Sequence, residues 1–300
     1  MMSIGALSRA TGIPTDTLRT WERRYGFPRA ERTPSGHRRY SMKTLERLRL
    51  VTRVLELGHR PSTVLAADQG SLLHLLAATK GKQAPPERAD VVIEATPDAH
   101  EEAVNAWLGH VERYEGRAFE RELRNSWAAL GALPFLECRA GPFVQELGRR
   151  WEGGALSVGH EHFASERLRE FLVQRWRPLS DAATGPSMVL ATLPGEQHVL
   201  GLHMAAIALA LGNVRIVFLG ADSPPVDIAR AVAHHAAEAI ALSASKCART
   251  AETAAHVAAL RNALPAHMRI VAGGAGFDPP PDGVHHTPSF TALCDWLSRV

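Results

Sequence analysis

Three hundred residues exceed what a single hydrophobic core organises, so two or three domains are expected. The apolar stretches are broken by histidine, glycine or charge short of membrane-spanning length, and no basic-then-apolar leader opens the chain; both point to a cytoplasmic protein with no membrane partner. The net charge of +3 divides unevenly: residues 1–60 carry 13 Lys or Arg against 5 Asp or Glu, a balance of +8, and the remainder sums to −5, so only the head suits a polyanion.

In that head, Ser3 is placed to cap a helix running through Ile4, Leu7 and Ala10. Thr11-Gly12-Ile13 turns the chain, and Pro14 followed by Thr15-Asp16 opens a second helix. In TDTLRTWERRYGF, Leu18, Trp21 and Tyr25 form a core stripe, while Arg19 and Arg23 share an outer face with Arg24 beside them. Helix, tight turn and arginine-faced helix make a helix-turn-helix whose second helix would enter a major groove. Pro34-Ser35-Gly36 then turns a two-stranded wing that carries His37, Arg38, Arg39 and Tyr40 toward phosphate or a minor groove. Ser41 caps a helix with Leu45, Leu48, Val51 and Leu55 at helical spacing, Gly58 stops it, and Pro61 begins another. The string LRTWERRYGFPRAERTPSGHRRYS, with the helices on either side, resembles the winged-helix domain of MerR-type transcription regulators over about residues 2–70. That resemblance implies double-stranded operator DNA as partner, with Arg19, Arg23 and Arg24 facing it from the recognition helix and Arg38 and Arg39 from the wing. It also implies self-association as a dimer or tetramer, since such proteins bind two-fold operators in pairs.

After the head (1–75), TKGKQAPPERAD reads as a polar, proline-bearing linker, placed at 76–90. From about 98 to 180, within a domain placed at 91–182, the pattern is helical throughout. Four segments begin at DAHEEAV (Asp98 as N-cap), RAFEREL, PFLECRAG and LSVGHEH, and short Gly- or Pro-containing links between them suggest an antiparallel four-helix bundle. Trp151 ends one helix before Gly153-Gly154. Val158, Glu161 and His162 then share one face of the next, either as ordinary surface or as a site. Cys138, Cys247 and Cys294, odd in number and far apart, fit free thiols in a reducing compartment better than a disulfide framework or a zinc site.

From 185 to 300 strands and helices alternate: SMVLATL, VRIVFLG, AIALSAS and RIVAGG are strands with apolar helices between them, and SFTALCDWLS closes the chain as a helix. The fold class is therefore multidomain α and α/β, ending in a Rossmann-like, doubly wound parallel sheet. Ligands of such sheets sit beyond the carboxyl ends of the strands, here at Gly195–His198, Gly220–Asp222, Ser243–Ser245 and Gly273-Gly274. No G-x-G-x-x-G, Walker loop or nucleophile-elbow serine is present, so the chain is not read as an enzyme. The first strand leads instead into Glu196-x-His198-x-x-Gly201. A rim histidine can extend to a metal above the sheet, a carboxylate two residues earlier can orient its other nitrogen, and a glycine lets a large ligand approach the helix backbone.

This pattern resembles the D-x-H-x-x-G motif of methionine-synthase-type cobalamin domains, with Glu196 in place of Asp. The resemblance implies His198 as lower axial ligand of cobalt, and a nucleotide-tail channel lined by Ser243 and Gly273-Gly274. The whole chain resembles the cobalamin-dependent photoreceptor repressors, in which the bundle caps the upper face of adenosylcobalamin and residues matching Trp151, Val158, Glu161 and His162 pack around the adenosyl group. What this implies is a light-responsive repressor, DNA-bound as an adenosylcobalamin-loaded tetramer and released by light. One departure is Glu152, where the light-sensing relatives carry a histidine that becomes the upper ligand after photolysis; His160 and His162 are nearby imidazoles. Two further readings therefore stand: a regulator that senses cobalamin (methylcobalamin included) without light, and a corrinoid methyl-carrier module, against which the basic head argues.

Overall fold

The computed structural model describes the chain except for residues 1, 12, 33–37, 57, 58, 60, 69, 73, 74, 76–96, 249 and 300. The expected linker, the turn at 34–36, His37 and the helix stop at Gly58 lie outside the described residues. The chain forms two compact units, Met1–His110 with Glu115–Phe135, and Val111–Tyr114 with Leu136–Val300.

The first unit begins with α1 (Ile4–Thr11) and α2 (Thr15–Tyr25), a hairpin of β1 (Glu31–Arg32) and β2 (Arg38–Arg39), then α3 (Met42–Glu56) and α4 (Pro61–Ala66). Ser3 Oγ accepts from the Ala6 N–H and Ser41 Oγ from the Thr44 N–H, so both serines cap as their sequence positions demand. Gly26 ends α2 in the left-handed region, its N–H reaching the Glu22 carbonyl at 3.1 Å. Leu7, Leu18, Trp21, Leu48, Val51, Val54 and Val64 fill the core. At about 1.5–3 kcal/mol for each large apolar side chain buried, this stripe rather than helix propensity holds the short helices together. Helices α5 (Pro97–Glu112) and α6 (Gly116–Leu130) and the short α7 (Ala132–Phe135) follow. Trp107 packs on Phe119 and Phe135, and Trp127 on Phe135.

The helix expected to run from Pro134 to Trp151 is broken. A π-helical turn (Leu136–Ala140) separates α7 from α8 (Gly141–Glu152). Pro142 has no N–H to offer the Cys138 carbonyl one turn back, and Arg139 Nη1 donates to that carbonyl at 3.0 Å instead. Helix α9 (Val158–Asp181) opens on a reciprocal cap: Ser157 Oγ accepts from the His160 N–H, and His160 Nδ1 accepts from the Ser157 N–H at 3.1 Å.

The sheet comprises β3 (Ser187–Ala191), β4 (Arg215–Gly220), β5 (Ala239–Ser243), β6 (Arg269–Gly273) and β7 (His285–His286), all parallel, in the order β4-β3-β5-β6-β7. Helices α10 (Leu200–Leu211), α11 (Pro225–His235), α12 (Thr250–Ala263) and α13 (Phe290–Leu297) complete the winding. The Rossmann-like expectation holds, with one more strand than the sequence suggested: β7 is two residues long, too short to show a period. β3 and β5 are buried along nearly their whole length, which is why they read as unbroken apolar runs.

One polar group in this core has a measurable consequence. His203 of α10 is 4% exposed, stacked 4.3 Å from Phe218, and its Nδ1 accepts from Trp176 Nε1 at 3.2 Å. Burial, aided by the charges of Arg169 and Arg177, pushes its pKa down to about 4. The unfolded chain then binds a proton near pH 6.5 that the folded chain refuses until about pH 4, so stability present above 6.5 is lost as pH falls toward 4, by roughly 3 kcal/mol. His203→Gln keeps an acceptor for Trp176 and cannot titrate. Urea unfolding followed by tryptophan fluorescence at pH 7 and 4.5 should show the variant losing markedly less stability than the parent.

Candidate functional site

Strands β3 and β5 are neighbours, and the crossover leaving β3 runs to β4 on one side while the crossover leaving β5 runs to β6 on the other, so the two turn in opposite directions. The crevice between the loops after β3 and β5 is the position at which open parallel sheets bind ligands. Both expected rim segments, Gly195–His198 and Ser243–Ser245, lie there.

Glu196 organises the crevice. It is 4% exposed, and its carboxylate takes three donors: Oε1 accepts from the His198 N–H at 2.8 Å and from His198 Nδ1 at 2.6 Å, and Oε2 accepts from the Ser245 N–H at 2.6 Å. Burial alone would raise its pKa, but the His198 ring and these backbone donors outweigh it and hold the carboxyl at about 2. The same hydrogen bond raises the pKa of His198 against the opposing effect of burial, with the charges of Glu196 and Glu161 adding to it. Nδ1 committed to Glu196 fixes the tautomer and leaves Nε2 with its lone pair outward, on a side chain 58% exposed. Among the described residues no cluster of three or more His, Cys, Asp or Glu side chains forms, so His198 stands as a lone imidazole donor.

The loop carrying it is pinned. Thr192 Oγ1 donates to the Glu196 carbonyl at 2.6 Å, the Asp222 N–H donates to Thr192 Oγ1 at 3.0 Å, and Asp222 Oδ1 accepts from the Gly195 N–H at 2.8 Å. Gly201 permits the close approach of α10 to β5: a Cβ there would stand 2.9 Å from Ser243 Oγ. Ser243 is in register with Gly273, and Gly274 takes φ +95° against the Ala244 carbonyl, where a side chain would collide. The structure thus brings Glu196, His198, Gly201, Ser243, Gly273 and Gly274 to one rim. Ser245, absent from the sequence-based site, is a direct partner of both Glu196 and His198: its hydroxyl lies 3.2 Å from His198 Nδ1. Its signal was the second hydroxyl of the S-x-S at the end of β5.

Trp151 lies in the last turn of α8, 39% exposed, and Val158 in the first turn of α9 is 52% exposed, high values for such apolar side chains. Glu161 accepts from Ser165 Oγ at 2.5 Å and from His162 Nδ1 at 2.7 Å. His160 is committed elsewhere, its Nδ1 in the cap of α9 and its ring stacked 4.5 Å from Tyr114. Glu152 pairs with Lys246 Nζ at 2.6 Å.

In the head, α2 buries Leu18 and Trp21 and leaves Arg19, Arg23 and Arg24 exposed. Arg19 pairs with Asp16, and Arg38 of β2 with Glu22 of α2 at 3.2 Å, which ties the hairpin to the helix; Arg39 is exposed. Tyr40 corrects the sequence reading: it is fully buried, bridged backbone to backbone with Met2, and contributes to the core rather than to a DNA-facing surface. Among the described residues no helix is long and apolar enough to cross a membrane.

Comparison with known proteins agrees with this geometry. The MerR HTH family regulatory protein model matches residues 2–65, and the B12 binding domain model matches residues 186–286. The chain is 31% identical over 276 residues to the HTH-type transcriptional repressor CarH of Myxococcus xanthus, covering 91% of this chain and 88% of that protein. It is 32% identical over 279 residues to the repressor CarA of the same organism, covering 92% and 87%. Its fold is similar to that of the monomethylamine corrinoid protein of Methanosarcina barkeri, with a TM-score of 0.54 at 14% identity over 67% of this chain and all of that one. From head to rim, the chain belongs to the family of MerR-type HTH transcriptional repressors that carry a carboxyl-terminal B12-binding domain.

Proposed function

We propose that this regulator is a repressor which binds operator DNA as an adenosylcobalamin-loaded oligomer, dimer or tetramer, and releases it on illumination. It acts by binding and not by catalysis, in the reducing cytoplasm that its three free cysteines suit. Head (1–75), helical cap (91–182) and cobalamin domain (185–300) divide the work. The observation that carries the reading is the Glu196–His198–Ser245 arrangement, which presents Nε2 as a lone, oriented donor. The residues fit a cobalamin. His198 would hold the cobalt from below, and the close approach that Gly201 permits to Ser243, beside Gly273-Gly274, suits a nucleotide tail. Trp151, Val158, Glu161 and His162 would line the upper side, where the exposed apolar surface of Trp151 and Val158 gains a cover. Bound adenosylcobalamin supplies a cobalt–carbon bond that light breaks. The chain's contribution is to favour one assembly with the cofactor in place and another without it, so cofactor and assembly must be thermodynamically linked. Arg19, Arg23, Arg24, Arg38 and Arg39 would supply the DNA contacts, with His37 at the wing.

A second reading is favoured by Glu152: a carboxylate paired with Lys246 stands there, His160 is committed to its helix cap, and His162 Nδ1 is engaged by Glu161, so no imidazole takes the place of the one at 152 that would trap a lit state. The chain would then report the presence of cobalamin and ignore light. The deciding measurement is the size of the adenosylcobalamin-loaded chain by light-scattering chromatography, with a gel shift on its own upstream DNA, before and after green light. The photoreceptor reading expects a tetramer that shifts DNA in the dark and falls apart when lit. Cofactor binding with size and gel shift indifferent to light selects the second reading.

A further inference from the structure

The cobalamin reading above, on which this inference rests, leaves two residues unused, Glu152 and Lys246. Lys246 lies one residue beyond Ser245, whose N–H holds Glu196 Oε2 and whose hydroxyl lies beside His198 Nδ1. Its Nζ reaches Glu152 Oε2 at 2.6 Å. Glu152 directly follows Trp151 at the end of α8, and the chain beyond it turns through Gly153 and Gly154, the latter at φ +73°, so that end has little stiffness of its own. A continuous path of contacts therefore runs from His198 through Glu196, Ser245 and Lys246 to the residue beside Trp151.

We propose that Lys246 is a positioning residue that, by pairing with Glu152, straps the Trp151-bearing end of α8 to the rim loop beside His198, so that a cobalamin reaches His198 freely only when the pair opens. In the proposed site the cofactor lies between His198 and Trp151, and the strap spans those two sides. A histidine at position 152 could accept from the lysine only as a neutral imidazole, without an opposite charge, and as an imidazolium it would be repelled, so the ion pair needs the glutamate. Glutamate at 152 thus converts a position suited to a cobalt ligand into an electrostatic latch. Both side chains are partly exposed, so the pair is worth a factor of about 2–5 in an equilibrium or rate and is weakened by salt.

The test is stopped-flow absorbance on the full chain in the dark, with adenosylcobalamin as probe at low and high NaCl. It is paired with amide hydrogen exchange across residues 153–156 of the cofactor-free chain. Adenosylcobalamin carries no net charge, so its own encounter rate is nearly independent of salt. Lys246→Met and Glu152→Gln are each expected to raise the association rate and the exchange about 2–5-fold at low salt, with the double variant no faster than either. Salt should accelerate the parent and not the Lys246→Met, Glu152→Gln or double variants, and the exchanged pair Glu152→Lys with Lys246→Glu should return both readouts, and the salt dependence, toward the parent. Equal rates and equal exchange in parent and variants, with the cofactor still bound, overturn the strap alone. Single effects that simply add overturn it too. A parent chain that binds no cobalamin overturns the cofactor reading and the strap with it.

Discussion

Replacing His198 by alanine is expected to weaken cobalamin binding by about 100-fold or more, measured by absorbance titration in the dark. Loss of a group that merely orients a metal ligand costs about 10–100-fold, so loss of the ligand itself starts at the upper end of that range. The fold should survive. The His198 side chain is 58% exposed, and the backbone around it is held independently by Thr192 and Asp222. Circular dichroism should therefore match the parent and a gel shift without cofactor should be unchanged, while urea unfolding at neutral pH should show a loss of about 1–3 kcal/mol, because the buried Glu196 carboxylate loses its His198 ring partner. His160→Ala provides the contrast: it should cost helix-cap stability of about 1 kcal/mol and leave the spectrum of the bound cofactor alone, because the His160 ring is engaged with Ser157 and Tyr114. A His198→Ala chain with parental affinity would remove the histidine from the cofactor site altogether.

Glu196→Gln is expected to be nearly as severe, and on two readouts at once. The carboxylate accepts on both oxygens, from the His198 N–H and ring at one and from the Ser245 N–H at the other. An amide can accept at one end only and presents N–H hydrogens at the other, facing either the Ser245 N–H or His198. A buried donor then goes unpaired, at about 1–3 kcal/mol. Because Nδ1 of His198 also loses its fixed acceptor, cobalamin affinity should fall about 10–100-fold. The parent also carries an acid signature that the variant cannot. A carboxyl held at about 2 when folded and near 4.5 when unfolded contributes stability present above pH 4.5 and lost as pH falls toward 2, on the order of 3 kcal/mol. Unfolding midpoints between pH 6 and 3 should fall more steeply in the parent than in Glu196→Gln, after allowance for His203, which titrates in the higher window.

Much of this site was legible in the sequence because its logic is local. A carboxylate two residues before a histidine, directly after an apolar strand, is a spacing that a single turn can satisfy, and the structure closes that turn with the Glu196–His198 bonds. The arginines of α2 were legible for the same reason, since helical period alone separates Arg19 and Arg23 from Leu18 and Trp21. What escaped depended on contacts distant in sequence. Ser245 joins Glu196 only when β3 and β5 lie side by side, and Lys246 meets Glu152 across ninety-four residues. Tyr40 was misplaced because a tyrosine after two arginines looks like part of a basic wing, whereas its bridge to Met2 turns the ring into the core. The π-turn before α8 needed the observation that Pro142 withholds a hydrogen just where Arg139 can replace it.

The placement of the crevice between the ends of β3 and β5 also bears on when the chain can first hold a ligand. Glu196 and Ser245 are separated by 49 residues, and α10, β4 and α11 must be wound between them before the two meet. Such a pairing is slow to form and cannot be imitated by a fragment or by a half-collapsed chain. A ligand that needs both loops therefore binds only finished molecules and draws the folding equilibrium toward them. On the reading proposed above, in which the loaded chain occupies DNA, the cofactor would then act as a quality check, because chains that fail to complete the sheet would never acquire the mark of a competent repressor.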